Sequence, residues 1–353
     1  VAGVEFNSDG TKMFTSFAQK NGSAYYIEEY NLSKPYDIST RVSAGDSQRC
    51  ELTGLETGNS FSVYDLDFSS DGMRFFVVNR HFNNDTAGAD EVAGFDLTSP
   101  YDVSTCTFGS VHDELDTTAL TTGSNAGDFN HLANRSTNRN HKVQSVEIND
   151  DGTKLFLLFY DNEDSDVGGR LYEYNLSTPY DVSTLSLVLT AGIAVPKTTS
   201  GVDNPSGMKF SANGKRIFIV GHDSRRISQI SLNKAYDTSS FTLDGGVSLQ
   251  TGISPTNTQP RGVTFSGNGL KLYIGNDNNQ NNADQIMEYD LVCPFNIIEG
   301  KCPSITTGDR TGIAIAQIEV ATRTIEHSTD TALNRLKWIR RNKDNQNLTN
   351  LNL

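Results

Sequence analysis

The chain has 353 residues, 43 Asp and Glu against 29 Lys and Arg, a formal net charge of −14 and a hydrophobic fraction of 36%. That balance makes nucleic acid a poor partner and an anionic membrane surface a repulsive one. No apolar stretch approaches the roughly 18 residues of a membrane-crossing helix, so no direct membrane span is expected in this fragment.

The chain opens at Val1, with no Met and no signal peptide, directly on an apolar strand, as a processed or excised piece would. From there one phrase recurs five times. Its first copy runs Val4-Glu5-Phe6, Asp9-Gly10 and Lys12-Met13-Phe14, then Tyr30-Asn31-Leu32 and Pro35-Tyr36-Asp37. The second has Leu66-Asp67-Phe68, Asp71-Gly72 and Pro100-Tyr101-Asp102; the third has Val146-Glu147-Ile148, Asp151-Gly152 and Pro179-Tyr180-Asp181. The fourth carries Met208-Lys209-Phe210, Asn213-Gly214 and Ala235-Tyr236-Asp237. The fifth has Val263-Thr264-Phe265, Asn268-Gly269 and a degenerate Cys293-Pro294-Phe295-Asn296.

Asp-Gly or Asn-Gly between apolar runs signals a hairpin, because both central residues of a type I′ turn need positive φ. Runs such as Leu155–Leu158 and Ile217–Val220 are too short for helices. A third strand, as at Leu171–Leu176, alternates, and the segment after each Tyr-Asp supplies a fourth. Four strands per unit of roughly 50–60 residues predict an all-β chain, a β-propeller of five visible blades. The blades fall at about residues 1–60, 61–142, 143–204, 205–259 and 260–305. No spare strand is visible at either end to lock the ring.

In such a blade the a–b and c–d turns share one face of the disc, and both are nearly constant here. The length changes fall in the b–c and d–a loops, on the other face, where binding residues are expected. Candidates there are Asn83, Asp85 and Asp90; His112, His131 and His141; Asp161, Asp164 and Asp166; and Asn276 and Asn278. The competing reading is that these loops vary simply because they are exposed.

Four cysteines with no C-x-x-C spacing favour disulfides over zinc. Cys293 and Cys302 enclose a short loop that a local bridge would pin. Cys50 and Cys106 both follow third strands of neighbouring units, so an inter-blade bridge is sterically allowed. Four free thiols in a reducing compartment is the alternative.

The unit F-S-x-D-G-x-K followed by Y-N/D-L-S-T-P-Y-D-V-S-T, cleanest at Asp151–Phe156 and Tyr174–Thr184, resembles propeller repeats of bacterial and phage surface proteins. The resemblance spans about Val1–Pro303 and implies a propeller in an extracellular or cell-surface setting, with no particular ligand. The fifth copy lacks the Ser-Thr-Pro-Tyr-Asp string, so its outer strand is expected to be short or replaced.

Beyond Asp309 the pattern changes. Ile318, Ile325, Ala332 and Ile339 fall seven apart, with Ile315 and Leu336 on the same side, which predicts an α-helix to about Arg341. A capping helix and a stalk are both compatible with it. Residues 313–342 are similar to the segment before the translocator barrel of bacterial autotransporters, which would make the propeller an outer-membrane passenger domain. Self-association through residues 310–341 is a further expectation.

Candidate chemistry is sparse. The middle residue of the first strand is Glu5, Asp67, Glu147, Lys209 and Thr264 in successive copies, and carboxylates converging on an axis could perform glycoside hydrolysis. Solvated acidic positions on a channel wall are the bland alternative. Asp161, Glu163, Asp164 and Asp166 gather oxygen ligands suited to calcium but lack the spacing and glycine of an EF-hand. No other cofactor is expected. The sequence thus points to a secreted or cell-surface binding or adhesion module for a glycan or protein ligand. A structural subunit polymerising through its ends and a glycoside hydrolase are the alternatives.

Overall fold

The computed structural model describes residues 1–16, 25–55, 61–81, 90–112, 141–161, 167–188, 193–196, 204–249, 258–278, 283–298, 323–328 and 336–340. Five antiparallel sheets follow one another along the chain. The first holds β1 (Val4–Phe6), β2 (Lys12–Thr15), β3 (Tyr26–Leu32) and β4 (Arg41–Ser43), with β5 (Cys50–Glu51) also paired to β3. The second holds β6 (Phe61–Phe68), β7 (Arg74–His81), β8 (Glu91–Asp96) and β9 (Thr107–His112). In the third, β10 (His141–Ile148), β11 (Lys154–Asp161), β12 (Val167–Leu176) and β13 (Leu185–Leu187) are joined by β14 (Ile193–Pro196). The fourth is β15 (Pro205–Phe210), β16 (Arg216–Gly221), β17 (Arg226–Leu232) and β18 (Phe241–Ser248). The fifth begins β19 (Thr258–Phe265), β20 (Lys271–Asn278) and β21 (Ala283–Asp290), and continues with β22 (Arg323–Ser328) and β23 (Leu336–Arg340).

The inner strands β1, β6, β10, β15 and β19 pack in that order, and β19 returns to β1. This is a closed five-bladed propeller. Among the described residues no extra strand locks it. Blade five meets blade one through a shared apolar cluster of Val1, Val4, Phe6, Tyr273 and Ile286, and the Tyr273 hydroxyl donates to the Tyr36 carbonyl at 2.5 Å.

The recurring phrase is the joint of each blade. Tyr36, Tyr101, Tyr180, Tyr236 and Phe295 all sit at positive φ, between 49° and 64°, and each lays its ring over the turn glycine of its own blade. A Cβ on Gly10, Gly72, Gly152, Gly214 or Gly269 would lie within 2.5 Å of that ring, so glycine is needed for space as well as for φ. The aromatic N–H donates to the glycine carbonyl at 2.8–2.9 Å in all five. An αL residue other than glycine costs about 1–2 kcal/mol. That cost is offset by these bonds and by the ring packing. After Tyr, the side chains of Asp37, Asp102 and Asp181 accept the backbone N–H two residues on and cap a 3-10 turn.

The same joint binds each blade to its neighbour. The Lys or Arg that opens the second strand reaches the next blade's aromatic turn: Lys12 to the Tyr101 carbonyl, Lys154 to that of Tyr236 and Arg216 to that of Phe295, each at 2.8 Å. Arg74 instead places its guanidinium 5.5 Å from the Tyr180 ring centre. Beneath these latches lie aromatic wedges such as Phe14–Phe68–Tyr101, Phe156–Phe210–Tyr236 and Phe218–Phe265–Phe295. Glu173 accepts both the N–H and the hydroxyl of Thr238 in the next blade, and Gln229 accepts the Ile297 N–H. A disulfide joins Cys50, beside blade one, to Cys106 of blade two. Cys293 is also disulfide-bonded, and its expected partner Cys302 lies outside the described residues.

Where the C-terminal region is described, strands replace the expected helix; Ile315, Ile318 and Ala332 lie outside the described residues. Ile325 lies in β22, and Leu336 and Ile339 lie in β23; β22 pairs with β21 and β23 with β22. The physical reason is the degenerate fifth repeat, which leaves the edge of β21 open. Pairing with that edge satisfies backbone groups that helix formation would satisfy only locally. The outer strand of the fifth blade is thus replaced by a segment remote in sequence. Among the described residues no helix is long and apolar enough to cross a membrane.

Candidate functional site

Glu5, Asp67, Glu147, Lys209 and Thr264, each next to last in its inner strand, meet on the axis toward the turn face. Lys209 Nζ lies 2.9 Å from Glu5 Oε2, 2.7 Å from Asp67 Oδ1 and 2.9 Å from Glu147 Oε1. Thr264 Oγ1 is 3.1 Å from both Glu5 carboxylate oxygens. The remaining oxygens bind backbone: Asp67 Oδ2 accepts the Ile148 N–H at 2.8 Å and Glu147 Oε2 the Phe210 N–H at 3.1 Å. Each of these bonds runs to the next blade, so the cluster also joins the ring.

The electrostatics follow from one ammonium among three carboxylates that are at most 11% exposed. Burial raises Glu5, opposed by Lys209 and reinforced by Asp67. Burial and the Asp67 charge hold Glu147 well above the usual carboxylate range. Burial by itself would lower Lys209, but Asp67, Glu147 and Glu5 outweigh it and hold the ammonium well above its ordinary value.

Two residues earlier on each inner strand comes a second layer: Gly3, Asp65, Ser145, Gly207 and Gly262. It leaves little room. A Cβ on Gly207 would sit 2.0 Å from the Arg261 carbonyl oxygen, and one on Gly262 would sit 2.5 Å from that of Ala2. Asp65 accepts from the Ser145 hydroxyl, and burial pushes its carboxyl up to about 8.

A third layer lies toward the loop face. The registers of β6, β10, β15 and β19 against their second strands slip at Val63/Asp65, Val143/Ser145, Pro205/Gly207 and Pro260/Val263. These bulges re-aim Tyr64, Gln144, Ser206 and Arg261. Arg261, from blade five, holds its guanidinium carbon 5.1 Å from the centre of the Tyr64 ring in blade two. Arg80, at the far end of β7, lies 4.9 Å from the same centre. Gln144 is fully buried, and its Oε1 has no hydrogen-bond partner among the described residues. Beside this layer His222 Nδ1 meets Asp223 at 2.6 Å and Asn204 donates to Asp223 at 3.2 Å. The His222 hydrogen bond, followed by Asn204 and the Arg261 charge, holds Asp223 below the usual carboxylate range.

The loop candidates divide. Asp90 is fully buried and braces blade two to blade three, accepting the Val143 N–H at 2.8 Å with Lys142 Nζ at 3.8 Å. Asn276 is fully buried and donates to the Ile274 carbonyl at 3.2 Å. His112, His141, Asp161 and Asn278 are strand-end positions whose backbones close the ladders of β9, β10, β11 and β20. Asn83, Asp85, His131, Glu163, Asp164 and Asp166 lie outside the described residues. Among the described residues no group of three or more His, Cys, Asp or Glu is arranged to hold a metal. The sequence reading missed Tyr64, Arg80 and Arg261. For Tyr64 and Arg261 the available signal was the position three before each axial residue, which changes in every copy (Ala2, Tyr64, Gln144, Ser206, Arg261) while the residue before it stays apolar.

No protein-family model matches the chain, and no curated protein matches it. Solved structures do. The chain is similar to a putative 6-phosphogluconolactonase from Bacteroides uniformis at 13% identity and TM-score 0.45, over 97% of this chain and 81% of that one. It is also similar to the β-propeller domain of Cps50 (Swd1) from Myceliophteria thermophila at 13% and 0.40, over 82% of each. A calcium-binding regucalcin from Agrobacterium tumefaciens matches at 12% and 0.37, over 82% and 70%. At these identities and TM-scores the likenesses carry no activity to this chain; its five blades are read from its own sheets and the packing of its inner strands.

Proposed function

We propose that the protein is a binding module of an oxidising compartment, extracellular or periplasmic, that engages a glycan or protein ligand through the face opposite its constant turns. The Cys50–Cys106 bridge supports the compartment, since such bonds persist where thiols are not kept reduced. The observation that carries the binding reading is Lys209. It takes up all three axial carboxylates, so the acid and base that a glycoside hydrolase would need are already engaged with a lysine and with backbone N–H groups. A rigid ring holding loops from several blades toward one ligand loses little ordering entropy on binding. Adhesion is the finer reading; the helical stalk that tied it to autotransporters is not retained.

Glycan-array and cell-binding assays on the whole chain test this. Binding should survive Glu147→Gln and disappear when residues 113–140 are replaced by a short linker. Sugar release that is abolished by Glu147→Gln would sink the proposal. A second reading, assembly into an extracellular polymer, draws on β22 and β23, which complete the fifth sheet from a remote part of the chain. Concentration-dependent oligomers that disappear on removing residues 309–353 would favour it.

A further inference from the structure

We infer that the Asn213-Gly214 and Asn268-Gly269 turns are sites of spontaneous deamidation, held back while each hairpin is closed, whose aspartate product the fold accepts and whose isoaspartate product it rejects. Three observations carry it. First, each asparagine is exposed to water and is followed directly by a glycine, whose main-chain nitrogen is the nucleophile and has no side chain to crowd it. Second, the closed turn ties down both reacting groups. The Gly214 N–H donates to the Ser211 carbonyl at 2.8 Å, and the Gly269 N–H to that of Ser266 at 2.7 Å. Asn213 Oδ1 accepts from the Ser211 hydroxyl at 2.8 Å and the Lys215 N–H at 3.1 Å; Asn268 Oδ1 accepts from the Ser266 hydroxyl at 2.8 Å and the Leu270 N–H at 3.0 Å. Third, the first three blades already carry aspartate at this place. Asp71 Oδ1 takes the same two kinds of donor, the Ser69 hydroxyl at 2.7 Å and the Met73 N–H at 2.9 Å, while Asp9 and Asp151 accept the N–H groups of Thr11 at 2.9 Å and Thr153 at 3.0 Å.

In the reaction the glycine nitrogen loses its proton and attacks the asparagine Cγ. The new C–N bond closes a succinimide, and the side-chain nitrogen leaves as ammonia. Water then opens the ring at one carbonyl to give aspartate or at the other to give isoaspartate. An N–H committed to a carbonyl and a carboxamide fixed by its own turn both oppose the first step, so the hairpin must open locally before it occurs. Aspartate restores every bond, because its Oδ1 meets the same donors and a charged acceptor binds them more strongly. The hydrogen bonds from Thr11 and Thr153 hold Asp9 and Asp151 below the usual carboxylate range; burial raises Asp71, but the bonds from Ser69 and Met73 outweigh it. Isoaspartate instead inserts a methylene into the main chain ahead of the glycine. Gly214 and Gly269 have no slack to take it up: their carbonyls hold the Tyr236 and Phe295 N–H groups at 2.9 Å, and those rings stand where a Cβ would lie. Each conversion also adds one negative charge to a formal net charge of −14.

The inference concerns the turn face and holds whatever ligand the opposite face takes. The whole chain is incubated in mildly alkaline buffer, folded and in urea, and the peptides carrying residues 213 and 268 are followed by mass spectrometry with aspartate and isoaspartate resolved. Both sites should convert in urea and at least about tenfold more slowly in the folded chain, where only locally opened molecules react. Aspartate should accumulate in the fraction that resists protease and isoaspartate in the fraction that does not. Asn213→Asp and Asn268→Asp should melt at or above the wild-type midpoint at pH 7. A carboxyl lowered by folding stabilises above its unfolded value of about 3.9, so this advantage should vanish as the pH falls below about 3. Ser211→Ala should quicken conversion at Asn213 alone, with Asn268 in the same molecule reporting any general loosening. Equal rates in the folded and unfolded chain would overturn the inference. So would aspartate variants that melt lower or fail to fold at pH 7, isoaspartate retained in the protease-resistant fraction, or a Ser211→Ala chain in which both sites quicken alike or neither does.

Discussion

The two ends of the propeller axis are built from the same five strands and solve opposite problems. At the turn end the axial charges are engaged: Lys209 meets three carboxylates, two of which also take backbone N–H groups of the next blade. Around it the turns repeat five times with the same bonds. At the loop end the third layer differs in every blade, and cations gather around a tyrosine. Only about three residues separate the layers along each strand. Where the repeat is constant, charge holds the ring closed; where it varies, two arginines from different blades meet one tyrosine ring.

The largest expected effect comes from breaking the closed end. Lys209→Met would strand three buried carboxylates, and loss of one partner from a buried ionic cluster costs about 3–5 kcal/mol. The unfolding free energy from urea titration should fall by that much at pH 7 and recover partly in acid. Recovery on adding calcium instead would show that the ammonium stands where a cation is required; an unchanged midpoint would erase the contrast between the two ends.

Next is the covalent brace. Cys50→Ser with Cys106→Ser should cost about 2–4 kcal/mol, measured against wild type with and without reductant. The turn joint comes third. Gly152→Ala places a Cβ against the Tyr180 ring at a φ of +70° and should cost about 2 kcal/mol, whereas Gly45→Ala, also at positive φ but in open space, should cost less. Similar losses at both would mean that φ alone, not the tyrosine lid, demands glycine.

A smaller effect sharpens the second layer. Asp65 holds its proton to about pH 8 when folded, against about 3.9 when unfolded. Between those values the folded chain binds more protons, so Asp65 makes stability fall as pH rises, by up to about 1.4 kcal/mol per pH unit. Glu5 and Glu147, also raised, act in the same direction. Asp65→Asn should therefore gain on wild type between pH 5 and pH 8, and parallel urea curves at both pH values check the sign. The smallest effect is expected at the loop end: Arg80→Gln, which removes the guanidinium over the Tyr64 ring, should lower the unfolding free energy by about 1 kcal/mol or less. A loss as large as that of Lys209→Met would mean that the loop end is structural too.

Much of this was legible in the repeat. The Asp-Gly and Asn-Gly turns, the strand count and the faces follow from φ requirements and alternation, which are local. The five axial residues were legible as well, because equivalent positions in repeated units must meet around a symmetric ring. That they would close on Lys209 was not, since it depends on side chains from four blades reaching one point. The heptad spacing of Ile318, Ile325, Ala332 and Ile339 misled because a period of seven does not know that β21 has an open edge.

The sequence by itself determined the blade and its turns, because each is specified by residues close together in the chain or by repetition of one pattern; for Cys50 and Cys106 it allowed a bridge between blades one and two without choosing it over free thiols. Only the tertiary structure decided how the ring closes, which strands complete the fifth blade, and that Arg80, Tyr64 and Arg261 stand together. Those arrangements depend on contacts between distant segments and on bulges that turn single side chains toward the axis, and neither leaves a period in the sequence.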